Sequence, residues 1–201
     1  MTAEENDPYH LASDIASPFD DGAAAHLVGM PLPIVKLAST HGREIDLQGL
    51  DHAVLFFYPR TGIPSEPAGP EWNAIPGARG CTPQCVGYRD LFNEFHERGI
   101  KLFGVSTQQS AYQRAFAERN RMPFEFLADD KLVLVKLLRL PTFEFAVQSG
   151  GPTTLVRRMS WYVDHGRIEK IWYPVFPPER NAGEVLAWLD QTKGRTRTSR
   201  A

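Results

Sequence analysis

The chain has two cysteines among its 201 residues, Cys81 and Cys85, four positions apart. Gly80 precedes the first, and Thr82 and Pro83 follow it, which reads as a turn running into a helix N-terminus. Val86, Leu91 and Phe95, with Tyr88 and Phe92 between them, give that helix a buried side. A thiol in a first helical turn meets unpaired main-chain N–H groups and the positive end of the helix dipole, and both favour its thiolate. Cys81 is therefore a candidate nucleophile or redox centre; the alternative is a small, inert, buried residue. Cys85 lies on the same helix face. A disulfide between the two requires the first turn to unwind, because regular helix geometry holds the Cβ atoms too far apart and badly aimed. Cys85 as a packed helix residue is the competing reading.

Other chemistries find less support. Zinc needs about four ligands, and a single C-x-x-x-C supplies two. His96 follows several turns along the same helix, and the spacing of Cys and His offers no second cluster, so no metal is expected. A Cys-His-Asn hydrolase would draw on His165 and Asn181, but His165 falls in a hairpin turn where a polar residue is expected anyway. Residues 77–80 lack the Gly-Lys-Ser/Thr ending of a phosphate loop, and a phosphatase loop would need arginine where Gly87 stands. The adjacent Arg157 and Arg158 precede a strand pattern, so one of them should point to the side on which the cysteine helix packs. A guanidinium there would favour the thiolate and polarise a bound oxygen. A surface arginine pair on an edge strand is the other reading.

The elements that must position these groups form one domain with tails, and 42% hydrophobic residues suffice for a core without staples. A net charge of -2 gives no reason to expect nucleic acid or an anionic membrane as partner, and no run is long and apolar enough to span a bilayer. Two cysteines are too few for a secreted disulfide framework, and the acidic start at Met1 lacks the apolar core of a signal peptide. A reducing, cytoplasmic setting is the expectation.

Residues 1–26 read as a polar, acidic tail or a weak helix lying on the domain, and 193–201 as a basic tail. Between them, 34–37 and 44–47 read as a strand pair turning at His41, expected to be solvated. Residues 53–58 form a continuous apolar run ended by Pro59, the mark of a central strand covered on both faces. A long Gly/Pro-rich loop, 60–79, leads into Cys81. The helix is expected over 83–97, ending at Gly99, with a second buried strand at 100–105 and a polar exit with N-cap character at 106–108. A helix over 110–121, a short strand at 122–127 and a helix over 131–138 capped by Asp129 and Asp130 follow. A strand over 155–163 pairs with 167–175 around a turn at 164–166, and Asn181 opens a last helix to Thr192. This order gives an α/β fold with a mixed central sheet and helices on both faces.

Together these pieces resemble the peroxiredoxins, in particular the bacterioferritin-comigratory type and related redoxins of the thioredoxin-fold superfamily, from about Leu27 to Leu189. The matching residues are Gly29-x-x-x-Pro33, Phe56-Phe57-Tyr58-Pro59, Gly80-Cys81-Thr82 with Gly87-Tyr88-Arg89-Asp90, Phe103-Gly104-Val105-Ser106, and Pro123-Phe124 with Leu127 and Asp129. Arg158 stands six before Asp164, where the family's active-site arginine stands. The resemblance implies a thioredoxin-like domain over 27–192 and a thiol peroxidase. In it Cys81 is the peroxidatic cysteine, Arg158 stabilises thiolate and peroxide, and Cys85 is the resolving cysteine if it can reach. It implies a hydroperoxide substrate, a thioredoxin-like or small-thiol reductant, and neither metal nor organic cofactor. A homodimer is compatible with it. Three departures stand out. The family's Pro-x-x-x-Thr-x-x-Cys has Ala74 and Ala78 in place of Pro and Thr, so Thr61, before the 60–79 loop, becomes the candidate hydroxyl. The second cysteine is one position early, with Val86 where related proteins carry it, and His165 follows the Asp164 turn residue. A disulfide reductase of thioredoxin fold and a non-catalytic redoxin binding domain are the rival readings.

Overall fold

The computed structural model describes residues 15–62, 69–146 and 151–198, with 193–198 as backbone alone. Lys36–Ser39 (β1) and Glu44–Asp46 (β2) form the expected hairpin, with Leu37 and Ile45 inward. Ala53–Phe57 (β3) is buried at all five residues. Pro70–Asn73 (α1) is a short helix inside the stretch read as loop; residues 63–68 of that stretch lie outside the described residues. Cys81–Asp90 (α2) and Phe92–Glu97 (α3) replace the single helix expected over 83–97. The break falls at Leu91, whose φ of -100° and ψ of 10° leave the helical region. Lys101–Ser106 (β4), Ser110–Arg119 (α4), Glu125–Ala128 (β5) and Val133–Leu138 (α5) follow. Asp129 anchors α5 as expected, its carboxylate accepting the N–H groups of Leu134 and Val135 at 3.1 and 2.8 Å.

Thr142–Glu144 (β6) pairs with Thr154–Val156 (β7) in a small separate sheet. Met159–Asp164 (β8) then joins the main sheet and turns into Arg167–Trp172 (β9). The strand expected over 155–163 is thus two strands in two sheets, broken at Arg157 and Arg158. Sequence pattern cannot show this, because apolar residues run through both. Asn181–Thr198 (α6) closes the fold and carries helical backbone beyond residue 192.

The main sheet has the order β2-β1-β5-β4-β3-β8-β9, with β3, β4 and β5 parallel and the outer pairings antiparallel. Strand alternation sorts β3 onto two faces. Val54, Phe56 and Tyr58 pack against Cys81, Cys85 and Tyr88 of α2, Phe95 of α3, Phe116 of α4 and Val185 of α6. Leu55 and Phe57 pack on the opposite side with Trp161, Leu27, Leu32 and Leu134. Along β8, Ser160 and Tyr162 face the first side and Met159, Trp161 and Val163 the second. Arg158 continues the even-numbered side, toward α2. Of the N-terminal stretch, residues 15–26 are described and lie on the domain: Ala24 is buried, and the Tyr173 hydroxyl donates to Asp21 at 2.9 Å. Residues 1–14 lie outside the described residues.

Candidate active site

Gly80 has φ 101° and ψ 17°, a region that glycine enters without the strain a β-carbon brings. Its carbonyl accepts the Gln84 N–H at 3.0 Å, so α2 starts there and Cys81 is the first helical residue. Among the described residues no side chain caps this end, and Pro83 carries no N–H. The donors of the turn are left to whatever occupies the space before it.

The Cys81 Sγ is buried, 3.2 Å from Arg158 Nη2 and 3.6 Å from the Ala78 carbonyl. Arg158 is 3% exposed. Its Nη1 donates to Gln84 Oε1 at 2.6 Å. Its Nη2 also faces the carbonyls of Ala78 and Arg79, each at 3.1 Å, and of Gly77 at 3.4 Å. Among the described residues this buried cation is held by carbonyl oxygens and meets no carboxylate, so its charge stays available to the sulfur. Beside it runs a crevice with Pro18 and Phe19 on one wall and Phe143 and Tyr173 on another. Arg157 turns elsewhere, its guanidinium 5.6 Å above the Phe143 ring. Of the two arginines, the one one residue before β8 meets the cysteine.

Cys85 is also a free thiol, fully buried against Val54, Phe56 and Tyr58 on the α2 side. Burial, and then the neighbouring Cys81, push its thiol well above the ordinary range. Burial likewise raises the phenol of Tyr58, whose hydroxyl donates to Gln113 at 2.6 Å. Because α2 runs unbroken from Cys81 through Cys85, pairing the two sulfurs requires its first turn to open.

Thr61 is buried, and its hydroxyl donates to Gln108 Oε1 at 3.3 Å, as does its N–H at 2.9 Å. Its carbonyl takes the Gln108 amide and the Tyr112 hydroxyl. Its hydrogen bonds go to Gln108 and Tyr112, and none goes to Cys81. The polar 106–108 exit does not cap α4: the Ser106 hydroxyl donates to the Pro59 carbonyl at 3.0 Å. The hydrolase set is not assembled. His165 is exposed at the far end of β8, roughly 20 Å of strand from Arg158. Asn181 opens α6 as expected, but its side chain points inward, its Oδ1 accepting from Ser160 at 2.6 Å, Tyr88 at 2.8 Å and Gln84 at 3.2 Å.

Gln84, Ser160 and Tyr88 are the site residues that sequence reasoning passed over. They link α2, β8 and α6 through one amide oxygen and end on Arg158. Gln84 carried a faint signal, a polar residue three after Cys81 on the helix's packed side.

A family model described as Redoxin matches residues 27–186. Chloroplastic peroxiredoxin Q of Triticum aestivum is 30% identical over 134 residues, 66% of this chain and 52% of that protein. Chloroplastic peroxiredoxin Q of Arabidopsis thaliana is 26% identical over 163 residues, 80% of this chain and 66% of that protein. The chain therefore spans about half to two thirds of the length of these two relatives. Among solved structures, peroxidoxin BcpB from Mycobacterium tuberculosis superimposes with a TM-score of 0.62 at 23% identity, covering 82% of this chain and 96% of that one. A cysteine variant of PrxQ from Xylella fastidiosa gives 0.64 at 19% identity, covering 83% and 96%. The mixed sheet flanked by helices is that of the thioredoxin-like peroxiredoxin structures. Fold, family match and relatives agree with the resemblance read from the sequence, and the family match over 27–186 places the chain in the redoxin family.

Proposed function

We propose that this chain is a thiol-dependent peroxidase in which Cys81 reduces hydrogen peroxide or an organic hydroperoxide. The observation that carries this is the 3.2 Å approach of Arg158 Nη2 to the Cys81 Sγ at the first residue of α2. The guanidinium and the N–H groups of the turn place donors around the sulfur and the space a peroxide would enter. The thiolate attacks the terminal peroxide oxygen, the O–O bond breaks, and the other oxygen leaves as hydroxide or alkoxide and takes a proton. Sulfur loses two electrons and becomes a sulfenic acid, and the peroxide gains them. Arg158, fixed by Gln84 and three carbonyls, stabilises the charge that develops on the leaving oxygen. Cys85 is the internal partner for the second step: its sulfur attacks the sulfenic sulfur, water leaves, and a disulfide forms once the turn opens. A dithiol of thioredoxin type or a small thiol restores both cysteines. Relatives named peroxiredoxin Q and a Xanthomonas campestris structure described for alkyl peroxide reduction support the reading.

Stopped-flow oxidation by hydrogen peroxide, followed by mass spectrometry of both cysteines, tests it. Wild type and Cys85→Ser are expected to oxidise at the same rate and Cys81→Ser not at all, with the intrachain disulfide only in wild type. Slow peroxide oxidation beside fast exchange with a disulfide would instead identify a reductase. Absence of both reactions would leave the binding-domain reading.

A further inference from the structure

At the end of the sheet remote from Cys81, two dipeptides far apart in sequence meet. Ala53 of β3 pairs with Val163 of β8. Continuing that antiparallel register by one residue and then another sets His52 beside Asp164 and Asp51 beside His165. No metal-ligand spacing in the sequence announces this set; the strand pairing makes it.

The ligand atoms converge. His52 Nδ1 and His165 Nδ1 lie 3.0 and 2.9 Å from the same oxygen, Asp164 Oδ1. Asp51 Oδ1 lies 3.5 Å from His165 Nδ1. His52 meets Asp164 with Nδ1, which also lies 3.1 Å from the Tyr162 hydroxyl, and Asp51 with Nε2 at 3.9 Å, so it flanks the set without adding one shared ligand atom. One ligand atom each from Asp51, Asp164 and His165 fall within 4.8 Å of one another. A tetrahedral ion with bonds of about 2.0–2.1 Å sets its ligands roughly 3.3–3.4 Å apart, inside the observed spread. Two carboxylates with one neutral imidazole carry two negative charges, which one divalent ion cancels. An imidazole nitrogen beside two carboxylate oxygens suits zinc and its neighbours better than calcium or magnesium.

The groups are also held in place. Asp51 Oδ1 accepts the His165 main-chain N–H at 3.0 Å. Gly166 donates to the Leu50 carbonyl at 2.7 Å, and a β-carbon on it would lie 2.5 Å from the Gln48 carbonyl oxygen. The hairpin turn is therefore seated directly on the stretch that leads into β3. All three side chains keep solvent access, so an ion can reach them.

We propose that Asp51, Asp164 and His165 bind one divalent transition-metal ion of zinc type, and that the ion ties the β8–β9 turn to the approach of β3. The site is independent of the peroxidase reading.

The full chain, stripped with a chelator, is titrated with Zn²⁺ alone by calorimetry, and with Co²⁺ by visible spectroscopy. One equivalent of Zn²⁺ is expected to bind and raise Tm, and Co²⁺ is expected to show d–d bands without a thiolate charge-transfer band. Asp164→Asn and His165→Asn, the latter tolerant of the turn's φ of 47°, are each expected to weaken binding by about 100-fold and to abolish the Tm rise. No binding, binding unchanged in both variants, or a thiolate band that places the ion on Cys81 and Cys85 would each overturn the proposal. The wild-type Co²⁺ spectrum decides by itself should a variant fail to fold.

Discussion

Three main-chain carbonyls and one sulfur surround Arg158 Nη2, which has two hydrogens to give. The guanidinium is therefore oversubscribed on that side, and its geometry is set by the backbone of 77–79 as much as by the cysteine. A lysine would bring the same charge as a single ammonium, unable to hold Gln84 and the carbonyls in one plane. Arg158→Lys is expected to slow Cys81 oxidation by about 100-fold or more, with the far-ultraviolet spectrum unchanged; stopped-flow fluorescence measures it. A rate near wild type would remove the arginine from the mechanism. At this scale the sequence was informative where local rules apply. Cys81 at a helix start follows from Gly80, Thr82 and Pro83. That one arginine of the pair turns inward follows from strand alternation, and the family resemblance picked Arg158. Gln84 and Asn181 were not legible as partners, because their meeting depends on how α6 lies against α2.

The elements show the same division. The strands β3 and β4 were visible as apolar runs, but the break between β7 and β8 was not, since no punctuation separates Val156 from Met159. That break matters, for it sets Arg158 free of the ladder next to Cys81. The split of the cysteine helix at Leu91 was equally silent, as its residues are ordinary helix formers. Gly104 in β4 shows how tightly the cysteine side is packed. A β-carbon there would stand 2.4 and 2.5 Å from two ring atoms of Phe126, which also packs edge-on to Phe56 with centroids 6.2 Å apart. Gly104→Ala is expected to cost about 1–3 kcal/mol, read as a lower denaturant midpoint. Unchanged stability would mean that the Phe126 ring can move aside.

Across the whole molecule, one ion pair ties the outer strands to the parallel core. Glu125 of β5 accepts from Arg43 in the β1–β2 turn and from the Ser39 hydroxyl. Burial acts to raise its carboxyl, but these hydrogen bonds and the nearby cations outweigh it and hold the group below its ordinary value of 4.5. An acid lowered in the folded chain stabilises above its unfolded value and loses that contribution as pH falls through the folded one. The Tm gap between wild type and Glu125→Gln is thus expected to be constant at neutral pH and to close on acidification below the ordinary glutamate range. A gap that persists in acid would contradict the ion-pair account. The anchoring of Arg158 on residues 77–79 has a last consequence. In the proposed reaction, opening the first turn of α2 for Cys85 would draw the same backbone off the cation. Oxidation and release would then be one mechanical event, with the reacted sulfur parted from the guanidinium and out of reach of further peroxide. Hydrogen exchange should then show residues 77–85 losing protection together in the disulfide form, and protection kept at 77–79 would decouple the two.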